Sequence, residues 1–366
     1  MSHYPPQTNQ LLELLGISLP IIQAPMAGVS NRVLASAVAS TGALGSLGLG
    51  GGSPAVLDAL PDKLSSVSRP SINLNFFVHD SPNTDPEREA AWLDRLTPHF
   101  ERLGAAPPAS ISAPYPSFDD NPATLESLLA LEPSVVSFHF GLPSSSTMKA
   151  LRSAGTKVLS SATNVREARA LEDGGADAII AQGWEAGGHR GHFLNSPAQP
   201  DEQLLLANLL DQVCEAVEVP VIAAGGIGTG QAAAAALRSG AAAVQLGTAF
   251  VSAEESSANQ AYREALINPN ASTIMTKVFS GREARGLNNL LTTQLDDFAD
   301  EAPDYPITYD AGKALSSAAA ATNKQDLLQD YSAMWAGQSV HNNRPMPAAE
   351  LVHTLEREML EALLAS

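Results

Sequence analysis

Residues 181–191 read Ala-Gln-Gly-Trp-Glu-Ala-Gly-Gly-His-Arg-Gly, so a single imidazole, His189, stands on a stretch nearly bare of side chains just after an apolar run. Imidazole ordinarily titrates near neutrality and can take or hold a proton there. Gly187, Gly188 and Gly191 let the backbone approach a flat ligand closely and adopt positive φ. A flavin with a base beside its ring fits that combination. An ordinary connecting loop fits the glycines equally well, so the segment gains force only from its neighbours. His192 follows at i+3, but Gly191 intervenes and no acidic or thiolate cluster accompanies the pair, which argues against a metal site.

The other candidates all stand where an apolar run ends. Gln23, Ala24, Pro25 and Met26 close the first run, Asn75 the third, His139 the fourth, Ser161 and Thr163 the fifth, and Gln182 the sixth. Ala224, Gly225 and Gly226 close the seventh; Gln245, Leu246, Gly247 and Thr248 close the eighth. Glycine-rich turns at these last two places suit a phosphate, which backbone N–H groups and a helix start can hold. A phosphorylated cofactor such as FMN follows. Alternation through 135–140 puts His139 on the side of Val135 and Ser137, facing either the pocket or a packed layer.

Eight apolar runs position these residues: 21–25, 43–47, 71–77, 135–140, 157–161, 178–181, 219–224 and 243–249. Segments of helical period separate them at 31–40, 54–64, 86–103, 123–131, 145–154, 165–173, 202–217 and 230–239. Near-continuous apolar strands alternating with helices imply a parallel sheet covered on its outer face. Eight such units predict an α/β fold, a (β/α)8 TIM barrel whose site lies at the C-terminal ends of the strands. The doubly wound alternative calls for G-x-G-x-x-G after the first strand, and residues 26–30 (Met-Ala-Gly-Val-Ser) do not supply it. The rhythm stops after Leu266. The expected division is a barrel over 1–269, a smaller C-terminal cap over 270–345, and a helix over 346–366 returning to the barrel wall.

With 366 residues and 44% hydrophobic composition, the chain is long enough to bury a large core. A formal charge of −18 argues against nucleic-acid and anionic-membrane partners. No apolar run approaches the roughly 18 residues of a membrane span, and the first ten residues lack the pattern of a secretory leader; a cytoplasmic location is expected. The single cysteine, Cys214, excludes an intrachain disulfide and is expected as a buried thiol on the 202–217 helix. Composition leaves homo-oligomerisation open.

Residues 20–28 (Pro-Ile-Ile-Gln-Ala-Pro-Met-Ala-Gly), 181–191, 220–227 (Pro-Val-Ile-Ala-Ala-Gly-Gly-Ile) and 244–250 (Val-Gln-Leu-Gly-Thr-Ala-Phe) together resemble the nitronate monooxygenases. Ser280-Gly281-Arg282 and the 305–313 segment, Tyr-Pro-Ile-Thr-Tyr-Asp-Ala-Gly-Lys, resemble the class I branch; Glu283 stands where that family has proline. The resemblance implies an FMN-dependent barrel that oxidises an alkyl nitronate such as propionate-3-nitronate with O2 to a carbonyl compound and nitrite. It also implies that His189 is the catalytic base and that Tyr305 and Lys313 reach over the substrate from the cap. NAD(P)H:quinone reductases on the same flavin barrel are the rival expectation, and a non-catalytic flavin-binding protein is another.

Overall fold

The computed structural model describes residues 4–60, 72–194 and 199–365. Residues 61–64 of the second expected helix and Ser71 of the third expected strand lie outside the described residues. Eight parallel strands form the centre: β1 (Ile21–Gln23), β2 (Gly45–Gly48), β3 (Ile72–Phe77), β4 (Val135–His139), β5 (Lys157–Ala162), β6 (Ala178–Gln182), β7 (Val221–Ala224) and β8 (Ala243–Leu246). They pair in the order β1-β8-β7-β6-β5-β4-β3-β2. A parallel bridge between Ile22 and Leu44, with Gln23 N–H donating to the Leu44 carbonyl at 2.9 Å, joins the two ends into a ring. The protein is a TIM barrel.

Local chemistry explains why helices follow these strands. Asn31, Ser144, Asn164 and Thr229 each precede a helix in a non-helical conformation, and their side-chain oxygens accept a first-turn N–H. Such caps contribute about 1 kcal/mol each and fix where each βα turn ends. The expected 202–217 helix is shorter, Leu206–Ala216, because the Glu185 carboxylate takes the Leu206 N–H at 2.9 Å and starts the helix there. Cys214 is half-buried on it, not fully buried as expected.

Period-two alternation separates two apolar layers. Ile22, Val135, Leu159, Ala178, Ile180, Ile222 and Ala243 point into the barrel. Ile21, Ile179, Ala181, Val221, Ala223, Val244 and Leu246 point outward to the helices. A helix absent from the sequence expectations, Pro6–Leu15, sends Leu11 and Leu15 into the inner layer at the closed end of the barrel.

The chain beyond the eighth strand builds over the open end. Thr273–Thr276, Ala284–Leu287 and the short strand Gly188–His189 make a three-stranded antiparallel sheet, with Ala284 opposite His189. Helices Leu290–Leu295, Ile307–Ala321 and Gln325–Tyr331 pack on Pro86–Arg102, the first of two helices between β3 and β4, around Trp92, Phe100, Phe279, Leu291 and Leu315. This second core therefore joins two parts of the chain far apart in sequence, and truncating Trp92 there costs about 3–5 kcal/mol. Ala348–Leu364 returns to the barrel wall through Leu351, Val352, Leu355 and Met359. Among the described residues no helix is long and apolar enough to cross a membrane.

Candidate active site

A cavity of about 380 Å³ opens at the C-terminal ends of the strands, within the range of small-ligand sites. Ala24, Pro25, Met26, Asn75, His139, Gln182, Gly187, Gly188, His189, Ala224, Gly225, Gly226, Gln245, Gly247, Thr248 and Tyr305 line it. Gln23 and Leu246 do not. Both share the outward parity of Ile21 and Val244; Gln23 is spent on Ser30 Oγ (3.0 Å) and on accepting the Ser46 N–H (2.9 Å), and Leu246 is buried among helices. Lys313 also stands back from the cavity. Its Nζ donates to the Tyr115 hydroxyl at 3.1 Å, and it is Tyr115 that lines the wall.

His189 sits inside a ring of aromatic groups of which sequence reasoning found Tyr305 and missed Phe77, Phe140, Tyr309 and Trp335. Its ring centroid lies 5.2 Å from Trp335, 5.3 Å from Tyr305, 6.0 Å from Phe140, 6.2 Å from Tyr309 and 6.3 Å from Phe77. The five come from four separated segments, and the four that were missed individually read as core. One signal was present: Tyr309 and Lys313 are i, i+4 on one helix, so they share a face.

Hydrogen-bond chemistry assigns the protons. The Ser280 hydroxyl donates to the Arg282 carbonyl at 3.0 Å, so toward His189 Nε2, also at 3.0 Å, its oxygen accepts. Nε2 therefore carries the hydrogen and Nδ1 keeps its lone pair, with no partner among the described residues. His139 Nε2 donates to the His189 carbonyl at 3.0 Å, and its Nδ1 faces Ser161 Oγ at 3.0 Å. Both imidazoles are held neutral. Burial first, then the repulsion that a protonated His139 and the Arg282 cation would add, push His189 down to about 3, and burial pushes His139 down to about 4. The Arg282 guanidinium lies 4.0 Å over the Phe140 ring, and burial brings its own pKa down to about 10.

The loop that presents His189 is gripped by buried side chains. Gln182 Nε2 donates to the His189 carbonyl (3.0 Å) while its Oε1 accepts the Gly191 N–H (2.7 Å). Glu167, fully buried, accepts the Phe193 N–H at 2.8 Å and the Thr163 hydroxyl at 2.7 Å. Arg190, 1% exposed, makes a bidentate pair with Asp201 at 2.6 and 3.0 Å. Burial alone raises the Asp201 carboxyl, but Arg190 outweighs it and holds the group below the usual range. Arg190 N–H also donates to the Glu283 carbonyl at 2.8 Å, so Glu283 accommodates this junction through its backbone.

The lining residues suit a flavin phosphate. Gln245 Oε1 is buried in the wall with no hydrogen-bond partner among the described residues. Thr248 Oγ1 accepts the Gly337 N–H at 2.9 Å, which leaves its own proton to donate. A Cβ on Gly188 (φ +78°) would meet nothing within 4 Å, so that backbone faces open space. Among the described residues no carboxylate lines the cavity.

The nitronate monooxygenase family model matches residues 8–358. The chain is 47% identical over 358 residues to a nitronate monooxygenase of Paraburkholderia phytofirmans, covering 96% of this chain and 95% of that one. It is 45% identical over 360 residues to a nitronate monooxygenase of Pseudomonas aeruginosa, covering 96% and 99%. Among solved structures it is similar to a nitroalkane oxidase from Streptomyces ansochromogenes, with 38% identity, a TM-score of 0.86 and coverage of 97% and 99%. FabK from Thermotoga maritima, at 24% identity, TM-score 0.72 and 97% coverage of each chain, shares the fold.

Proposed function

Because the chain belongs to the nitronate monooxygenase family, we propose that it oxidises alkyl nitronates with O2 to a carbonyl compound and nitrite, using FMN held in the barrel-mouth cavity. The observation that supports this most strongly is the neutral imidazole of His189, its Nδ1 lone pair free, inside an aromatic wall and facing the cavity. When bound, FMN supplies the electron acceptance that no side chain here can provide.

The protein's own groups bind, orient and exclude water. Gln245 Oε1 would accept from the cofactor, Thr248 and the glycine turns at 225–226 and 247 would hold its phosphate, Gly187 lines the same cavity, and Gly188, with open space where a Cβ would stand, would let the ring lie close to the backbone. A nitronate entering this cavity would meet the rings of Tyr305, Tyr309 and Trp335, which line it. Arg282, 4.0 Å above Phe140, provides a positive field behind the wall and favours the anion. With a nitronate already deprotonated, His189 orients it. With a neutral nitroalkane, Nδ1 is the atom placed to take the proton from carbon. An anion beside it raises its affinity for that proton above the value of the empty cavity. Tyr115, with Lys313 behind it at 3.1 Å, marks where an anionic substituent on a substrate such as propionate-3-nitronate would end.

The test is oxygen uptake and nitrite release with an alkyl nitronate and no added reductant. Turnover under those conditions supports the reading. Rapid anaerobic reduction of the bound flavin by NADPH, with no nitronate turnover, overturns it in favour of a quinone reductase; a flavin-containing chain that does neither is a binding protein.

A further inference from the structure

One wall of the cavity is fixed from outside by a residue that does not line it. Tyr305 follows Asp304 at the end of an acidic segment, 296–304, that carries five carboxylates. Arg88, in the first turn of Pro86–Arg102, spreads its guanidinium over that segment: Nη1 to Asp304 Oδ1, Nε to the Glu301 carbonyl and Nη2 to the Asp300 carbonyl, each at 3.1 Å. Asn83 donates to the other Asp304 oxygen through its backbone N–H (3.2 Å) and Nδ2 (3.1 Å).

The opposite side is closed as well. A Cβ on Gly281 would stand 2.2 Å from the Pro303 carbonyl, so residue 281 packs directly beneath the segment. The Asp304 carbonyl accepts the Ile307 N–H at 2.8 Å and starts the helix that carries Tyr309. The peptide that sets the Tyr305 backbone is thus held from both faces, and its ring lies 5.3 Å from His189 and 5.6 Å from Phe140.

We propose that Arg88 is a positioning residue for the reaction, setting the Tyr305 ring through Asp304 and so fixing the face that the substrate meets; this rests on the function proposed above. The ion pair itself is about one-third exposed and contributes little as a charge interaction. Its value is geometric. A planar fork satisfies three acceptors on one segment at once, which a lysine ammonium on a flexible stem does not reproduce.

A double-mutant cycle tests this. Arg88→Ala and Arg88→Lys each raise KM for an alkyl nitronate about threefold to tenfold with kcat within about twofold, as expected for loss of two or three partly exposed hydrogen bonds. The visible flavin spectrum and thermal midpoint stay near those of the parent. In a Tyr305→Ala background, removing Arg88 changes KM by less than about twofold, because the ring it positions is gone. Tyr305→Leu serves as the second background if Tyr305→Ala loses its flavin. The proposal is overturned if Arg88→Ala leaves KM unchanged, if its effect multiplies with that of Tyr305→Ala, or if flavin occupancy and melting temperature fall together with activity. A parent chain that turns over no nitronate overturns the functional reading and the Arg88 assignment with it, an outcome distinct from an active parent whose cycle is additive.

Discussion

Gly187 and Gly188 are adjacent in the same loop, yet substituting them with alanine should fail in different ways. A Cβ on Gly187 would lie 2.5 Å from Gly337 N, 2.6 Å from the Ala336 carbonyl carbon and 3.0 Å from Ala336 Cα. All three are backbone atoms, and carbon contacts relax only near 3.5–4.0 Å, so the 336–338 strap must retreat by about 1 Å. That movement stretches the bond from Gly337 N–H to Thr248 Oγ1 (2.9 Å) and the one from Gln338 N–H to the Glu185 carbonyl (3.0 Å) beyond hydrogen-bonding range. Two lost bonds at about 1 kcal/mol each, with about 1–3 kcal/mol of overpacking, give roughly 3–5 kcal/mol. At about 2 °C per kcal/mol for a chain of this size, Gly187→Ala should melt about 6–10 °C lower. Gly188 instead has φ +78° and open space where its Cβ would go. Alanine there costs only about 1–2 kcal/mol in backbone strain, but its methyl occupies space in the cavity. Gly188→Ala should therefore lose flavin affinity out of proportion to stability. Thermal melts and FMN titrations on both variants decide the matter. A Gly187→Ala variant that melts with the parent, or a Gly188→Ala variant that is the less stable of the two, would refute the packing argument.

Three more outcomes follow from the site. His189→Asn should keep its flavin and its turnover of preformed nitronates while losing activity on neutral nitroalkanes by about 10²-fold or more; Ser280→Ala, which frees the imidazole to change tautomer, should lose about tenfold on the same substrates, and equal losses on both substrate forms count against the proton assignment. His139 is depressed to about 4 in the folded chain against an ordinary value near 6.5, so the unfolded state binds the extra proton between these values and stability falls as pH drops from about 6.5 to about 4, by on the order of 3 kcal/mol at most. His139→Gln should make that part of a pH–stability curve shallower, leaving the contribution of His189, which is depressed to about 3; an unchanged curve contradicts the burial argument. Asp201→Asn leaves the Arg190 guanidinium buried without its counter-charge and should cost about 3–5 kcal/mol in chemical denaturation; a loss below about 1 kcal/mol would show that water reaches the pair.

Much of this architecture is legible in the residues because burial on both faces leaves apolar runs that end abruptly in polar or glycine residues. The same parity that makes the runs recognisable decides which terminal residues face the axis. Gln245 follows Ala243 inward, whereas Gln23 follows Ile21 outward and Leu246 follows Val244 outward. His139 shares its parity with Val135 and Ser137, and this brings it to the cavity. The aromatic enclosure is another matter. Phe77 and Phe140 meet at the ends of the paired strands β3 and β4, but Tyr309 and Trp335 join them only through the packing of the C-terminal helices on Pro86–Arg102, and long-range packing of that kind leaves no periodic trace. Ser280 was visible as part of a motif, but its role as acceptor for His189 depends on the Arg282 carbonyl taking its only proton.

The account as a whole depends on FMN in this cavity acting on a nitronate. The most direct measurement is oxygen consumption by the flavin-free chain, supplied with an alkyl nitronate and no reductant, as FMN is titrated in. The rate should rise from zero and level off at about one FMN per chain, the stoichiometry of a single concave site. Oxygen consumption that stays at zero, or that ignores added FMN, contradicts it.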